Sequence, residues 1–294
     1  MDPALFNLPV EQIRQGFYSD KHLVGARDVL RADGHAPRAT VQVTCKSAAL
    51  LGGIDEAVAL LKLATDDWGA LAVHALYEGD RVEPWDTVMT IEGAYDAFAH
   101  LETLYLGALA RRTRVCTNAR ALTDAARPKP VYFFPARYEH WSLQPGDGYA
   151  AHVGGVKAVS TDAQGSWFGG TGLAGVPHAL VAVYGGDTVA ATRQFAEHAG
   201  EGARVVAVVD FENDVVRTSL EVARALGDRL WGVRLDTAEN MVDRSMLGAM
   251  GTVRPTGVTP PLVWAVRNAL DAEDFGDVKI VVSGGFGVPR IRAF

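Results

Sequence analysis

A chain of 294 residues exceeds one typical core and predicts a large domain with a smaller one beside it. Apolar residues at 48% and charged residues at 21% predict a soluble globule, and no run of about 18 apolar residues offers a membrane span. The net charge of −7 excludes the basic face of a nucleic-acid binder. Two cysteines without metal-like spacing, Cys45 and Cys116, and an acidic start lacking a signal-peptide core predict a reduced, cytoplasmic protein.

The N-terminal part reads as mixed α/β with short strands. "ATVQVTCK" alternates Val41, Val43 and Cys45 against Thr40, Gln42 and Thr44, the pattern of a half-buried strand. "GIDEAVALLKLA" places Ile54, Val58 and Leu61 at helical spacing. In "EGDRVEPWDTVMTIEGAY", turns at "EGD" and "EGA" are expected to bracket a Val/Met/Ile strand. A long helix follows, from about Tyr95 to Ala125, with Phe98, Leu101 and Tyr105 on one stripe. Its second half, "RRTRVCTNAR", is basic, and Cys116, Thr117 and Asn118 interrupt it with small groups that suit a binding loop. A solvated helix face is the alternative.

From about Pro128 the pattern becomes strand, loop, helix, repeated. "PVYFFPAR", "GGVKAVST", "ARVVAVVDF", "RLWGVRLDT" and "DVKIVVSGGF" are strand-like. Helices are predicted in "DTVAATRQFAEHAG", with Asp187 as N-cap, in "NDVVRTSLEVARALGD", and in "TPPLVWAVRNALDAED", with Thr259 as N-cap and Pro260 at the first helical position. Near-continuous Val/Ile strands between helices predict a parallel sheet, and serial units of this kind fit a (β/α) barrel better than an open sheet. The predicted domains are 1–125 and 126–294. The last letters, "GFGVPRIRAF", enter another helix one or two units short of a closed barrel. Either the sequence is cut short or a partner fills the gap.

In parallel βα architectures function gathers at the carboxyl ends of the strands. Several predicted strands end in polar residues there: Arg137, Asp210, the Arg234–Asp236–Thr237 run, and Ser283 with Gly284 and Gly285. Arg234 and Asp236 fall on one face of their strand, since side chains alternate. The glycine pair after "IVVS" allows close approach of backbone amides to an anion, and a tight βα turn is the plainer alternative. His178, after the glycine-rich "WFGGTGLAGVP", could bind a phosphate or accept a phosphoryl group if it faces that rim; a structural helix start is the alternative. Arg120 would meet a carboxylate or phosphate in bidentate fashion.

The ordered motifs "FNLPVEQIRQGFYSDKHL", "HLETLYLGALARRTRVCTNAR", "FFPARYEHW", "GTGLAGVPHAL", "VVDFEND", "GVRLDT" and "IVVSGGF" resemble the nicotinate phosphoribosyltransferases, relatives of the quinolinate and nicotinamide enzymes. The resemblance implies an N-terminal open-faced α/β sandwich on an incomplete (β/α) barrel, usually in a homodimer. It implies transfer of a 5-phosphoribosyl group from PRPP to nicotinate in NAD salvage, with Mg²⁺ on the PRPP and ATP hydrolysis often coupled. It places Tyr18 near the pyridine, puts Thr117 and Arg120 in a substrate-lining loop, and sets Arg137 on the nicotinate carboxylate or PRPP. His178 corresponds to the histidine phosphorylated in ATP-coupled members. Asp210, Arg234, Asp236, Ser283, Gly284 and Gly285 correspond to strand-end residues that hold ribose, metal and phosphate, with Asp210 and Asp236 the candidate Mg²⁺ ligands. The chain departs from the family in reading Arg137-Tyr138 where many members have two arginines, and in carrying an extra residue between Thr171 and His178. The Arg-Lys-Thr and His-Arg motifs of quinolinate enzymes are not found in it.

Overall fold

The computed structural model describes residues 1–200 and 202–294, which divide into two compact units, Met1–Leu173 and Ala174–Phe294. The grammar of the sequence changes earlier, near Ala126, so the first two strands of the parallel series lie in the first unit.

In that first unit, β1 (Arg38–Thr44), β2 (Ala49–Leu50), β3 (Ala72–Ala75), β4 (Arg81–Val82) and β5 (Thr87–Ala94) form antiparallel pairs. Strand β5 lies between β1 and β3, with Val41 and Val73 both opposite Ile91. One face of this sheet meets the helix Ile54–Ala64 and the start of the long helix Glu102–Ala126. Ile54, Leu61, Ile91, Phe98, Leu101 and Tyr105 are buried together there. "EGD" turns as expected, with the Asp80 amide donating to the Tyr77 carbonyl. "EGA" does not: Glu92, Gly93 and Ala94 continue β5, pairing with Thr40, Ala39 and Arg38. A Cβ at Gly93 would collide with Leu71, so this glycine makes room for a side chain and does not turn the backbone.

The helix Ile54–Ala64 lacks a side-chain cap from its own N-cap, Gly53. Glu78 supplies one from outside, accepting from the Gly53 and Asp55 amides at 3.0 Å each. Burial pushes its carboxyl from 4.5 up to about 7, against those two hydrogen bonds and with help from the Asp55 charge. A raised acid binds its proton more tightly when folded than unfolded, so its contribution to stability is lost as pH rises from about 4.5 through 7. The wild type is expected to lose on the order of 2 kcal/mol more than Glu78→Gln between pH 5 and pH 8 in urea unfolding. Parallel pH profiles for the two proteins would contradict this.

Further along this unit, β6 (Tyr132–Phe133) and β7 (Ala158–Val159) pair in parallel, and Gly172 lies beside β7 through an isolated parallel bridge to Val159. The second unit holds β8 (Val205–Val208), β9 (Leu230–Leu235) and β10 (Lys279–Val282) in the parallel order β10-β9-β8. All four residues of β8 are buried, which accounts for its unbroken Val/Ala run. Helices Thr188–His198, Val215–Leu226 and Pro260–Ala272 pack here, with Val222, Leu262, Val266 and Leu270 against Val233 and Leu235. The predicted caps form: Asp187 accepts from the Ala190 amide at 2.8 Å and Thr259 from the Leu262 amide at 3.4 Å. No helix of the described residues is long and apolar enough to cross a membrane.

Candidate active site

The carboxyl ends of β8, β9 and β10 collect the polar residues that their sequences place there. Pairing of Val208 and Val281 with Arg234 brings the three strand ends level. Arg234 and Asp236, on one face of β9, join directly through an Nη2–Oδ2 bond of 2.6 Å. Ser283, one residue past β10, donates its hydroxyl to Asp236 Oδ1 at 2.6 Å and accepts from Arg234 Nε at 2.9 Å. Its amide donates to the Leu235 carbonyl, continuing the ladder. Arg234, Asp236 and Ser283 thus form a closed ring of three bonds, and this fixes the guanidinium at the rim.

Asp210 follows β8 and is nearly buried; both its oxygens lie 3.2 Å from His178 Nε2. The histidine opens the short helix His178–Val183. Its pKa is raised, first by the Asp210 hydrogen bond, with burial opposing and the charges of Asp210 and Asp236 adding to the rise. Arg234 lowers it slightly, so His178 senses the β9 pair as well as its own partner. An imidazole whose pKa is raised, a guanidinium and two carboxylates therefore share one edge of the sheet. Gly284 and Gly285 adjoin them with φ of +95° and +66°, a region that side chains disfavour, and a Gly284 Cβ would lie 3.7 Å from Asp236 Oδ1.

No group of three or more His, Cys, Asp or Glu among the described residues could hold a metal alone. Asp210, hydrogen-bonded to His178, and Asp236, paired with Arg234, fit a Mg²⁺ that arrives on a diphosphate and keeps several waters. They do not fit a dedicated protein cage.

The other expected residues lie in the first unit. Tyr18 is 46% exposed, donates to Gln12 Oε1 at 2.9 Å, and packs edge-on to Phe17. Arg137 is exposed in the turn after β6, and no hydrogen bond or ion pair among the described residues holds its side chain. Thr117 and Arg120 are not in a loop. The basic segment continues the helix Glu102–Ala126, where the Thr117 hydroxyl accepts from the Leu50 amide and donates to its carbonyl. Cys116 is fully buried, and burial pushes its thiol up to about 12. Arg120 approaches Asp124 at 3.8 Å, one helical turn on. The small residues that suggested a loop are small because this side of the helix is packed. A glycine at 154 is required for the same reason, since a Cβ there would meet the Ala119 methyl and the Cys116 carbonyl.

Arg111 and Arg112, read as part of that basic segment, carry a structural task. Arg112 donates to Glu56 Oε2 and Asp147 Oδ1 at 2.8 Å each, and Arg111 holds Asp147 through Nε at 2.9 Å and Nη2 at 2.7 Å. Nothing in their spacing announces these partners, which lie 35 or more positions away.

Comparison with known proteins places this geometry in context. Residues 28–113 match the family described as the quinolinate phosphoribosyl transferase N-terminal domain. No curated protein matches the chain in sequence. Among solved structures, nicotinate-nucleotide pyrophosphorylase from Pyrococcus furiosus is 29% identical, with a TM-score of 0.81, over 97% of this chain and 70% of that one. NadC from Streptococcus pyogenes, 17% identical, has a TM-score of 0.65 over 93% of this chain and 86% of its own. Human nicotinic acid phosphoribosyltransferase, also 17% identical, has a TM-score of 0.68 over 93% and 69%. The chain is a mixed α/β protein with the fold of these structures, an N-terminal α/β domain followed by a (β/α) barrel domain.

Proposed function

We propose that the protein transfers a 5-phosphoribosyl group from PRPP to the ring nitrogen of a pyridine carboxylate, with quinolinate favoured as acceptor. The observation that carries phosphoribosyl transfer is the fixed Arg234–Asp236–Ser283 ring beside the His178–Asp210 pair and the glycine turn. The choice of acceptor rests on the family matched by residues 28–113 and on the pyrophosphorylase likeness, which weigh against the nicotinate expected from the motifs. Nicotinate is the second reading, supported by the missing Arg-Lys-Thr and His-Arg motifs.

The chemistry asks little of a protein nucleophile. The pyridine nitrogen supplies the electron pair, the bond from the anomeric carbon to diphosphate breaks, and positive charge develops on the ribose between them. The chain must hold two anions in line and stabilise what leaves. Arg234 suits that task because Asp236 and Ser283 fix its orientation before any ligand arrives. Asp210 and Asp236 are the proposed partners of the ribose hydroxyls, and Mg²⁺, when bound, would neutralise the diphosphate. Arg137 is the proposed carboxylate clamp, and Tyr18 the proposed aromatic neighbour of the ring.

The test is incubation with PRPP, Mg²⁺ and quinolinate, nicotinate or nicotinamide in turn, with and without ATP, followed by chromatography for a mononucleotide. Product with quinolinate alone is expected. Product with nicotinate alone would move the assignment to the second reading, and product with none of the three would refute the proposal.

A further inference from the structure

The glycine turn after β10 is already covered by an anion from the chain itself. The carboxylate of Glu239, in the segment after β9, lies so close to Gly285 that a Cβ there would sit 2.6 Å from Oε1. Arg290 holds that carboxylate at 3.2 Å. The two partners are fixed very unequally. Arg290 is mostly buried, donates to the carbonyls of Gly284 and Val258, and lies 4.4 Å above the Phe286 ring. Glu239 is 71% exposed, and the Arg290 contact is the one bond holding its side chain among the described residues. Exposed ion pairs are weak, so the carboxylate leaves at small cost while the guanidinium stays.

We propose that Glu239 is an internal stand-in for a substrate phosphate: its carboxylate lies against Gly285 and on Arg290, and it yields both when a phosphate group binds. This inference rests on the phosphoribosyl reading and assigns two residues that the strand-end pattern does not contain. A carboxylate and a phosphate both present anionic oxygens that accept from a guanidinium N–H, and the carbonyls of Gly284 and Val258 hold Arg290 in place while one acceptor replaces the other. Occupation by Glu239 also keeps the cation paired between turnovers, and makes the affinity for phosphate the difference between two anions rather than the full value of one.

Titration calorimetry of the full chain with ribose 5-phosphate, and separately with inorganic pyrophosphate, tests this. Glu239→Gln is expected to tighten one of the two by about two- to fivefold, the range that loss of an exposed competing ion pair allows, and the arm that responds names the phosphate taken. Asp277→Asn, at the opposite end of β10, serves as the control for net charge and is expected to change neither affinity. Unchanged or weaker binding of both ligands by Glu239→Gln, an equal effect of Asp277→Asn, or no binding to either protein would overturn the proposal. Tighter binding without product from any pyridine would retain Glu239 as the stand-in and discard the acceptor reading. Turnover with unaltered affinities would discard the stand-in alone.

Discussion

Asp236→Asn is expected to lower kcat/KM for mononucleotide formation by about two to three orders of magnitude, the range seen when one preorganised donor to a transition state is lost. The carboxylate makes two bonds of 2.6 Å, one to Arg234 and one to Ser283, and its charge contributes to the raised pKa of His178. An asparagine oxygen can accept from one of those donors, but its NH2 then faces the other. The guanidinium loses the anchor that fixes its direction and is free to turn into solvent. The fold should survive, because Asp236 stands at the rim beyond Leu235 and no apolar core residue depends on it. A stability loss near 1–2 kcal/mol is the expected scale for one hydrogen-bonded charge at a partly exposed site. Steady-state kinetics together with thermal unfolding separate the two effects. A variant with near wild-type kcat/KM would remove the ring from the chemistry.

Arg112→Ala is expected to have the largest effect on stability, about 3–5 kcal/mol, which is a large fraction of what a typical domain possesses. Its side chain is 9% exposed, those of Glu56 and Asp147 are 12% and 4%, and its guanidinium lies 5.6 Å from the Trp167 ring centroid. Truncation leaves Glu56 buried without its cation; Asp147 keeps Arg111. The site is also close-packed, because a Cβ at Gly146 would run into the guanidinium. Arg112→Met should be nearly as damaging as alanine, since methionine fills volume but leaves the carboxylate alone. Adding Glu56→Gln to Arg112→Met should recover much of the loss, because uncompensated charge rather than missing volume is the cause. Urea unfolding of the three proteins decides this. A loss below about 1 kcal/mol in Arg112→Ala would show that the cluster is solvated in solution, as exposed pairs are.

The contrast between these two sites explains how much could be read from the letters. Arg234 and Asp236 were legible because strand alternation is strict: two polar residues spaced by one, at the end of an apolar run, share a face and a rim. Ser283 and the glycine pair were legible for the same reason, at the end of an equally apolar run, and the caps at Asp187 and Thr259 because capping is local chemistry. The Arg111–Arg112 segment misled because small residues and charges look alike in a loop and on a tightly packed helix. Only the partners distinguish them, and Asp147 and Glu56 are far away in sequence. "EGA" misled because glycine has two uses, and here it clears space for Leu71 across the sheet. Glu239 and Arg290 carried no signal, since one lies in an irregular segment and the other in a six-residue helix without periodicity.

The central claim is that phosphate-bearing ligand binds where β8, β9 and β10 end. Backbone amide shift mapping during titration with PRPP and Mg²⁺ tests it residue by residue. Saturable shifts concentrated at Asp210, Asp236, Ser283, Gly284 and Gly285 are the predicted result; shifts confined to the amino ends of those strands, around Arg204, Trp231 and Asp277, would contradict it.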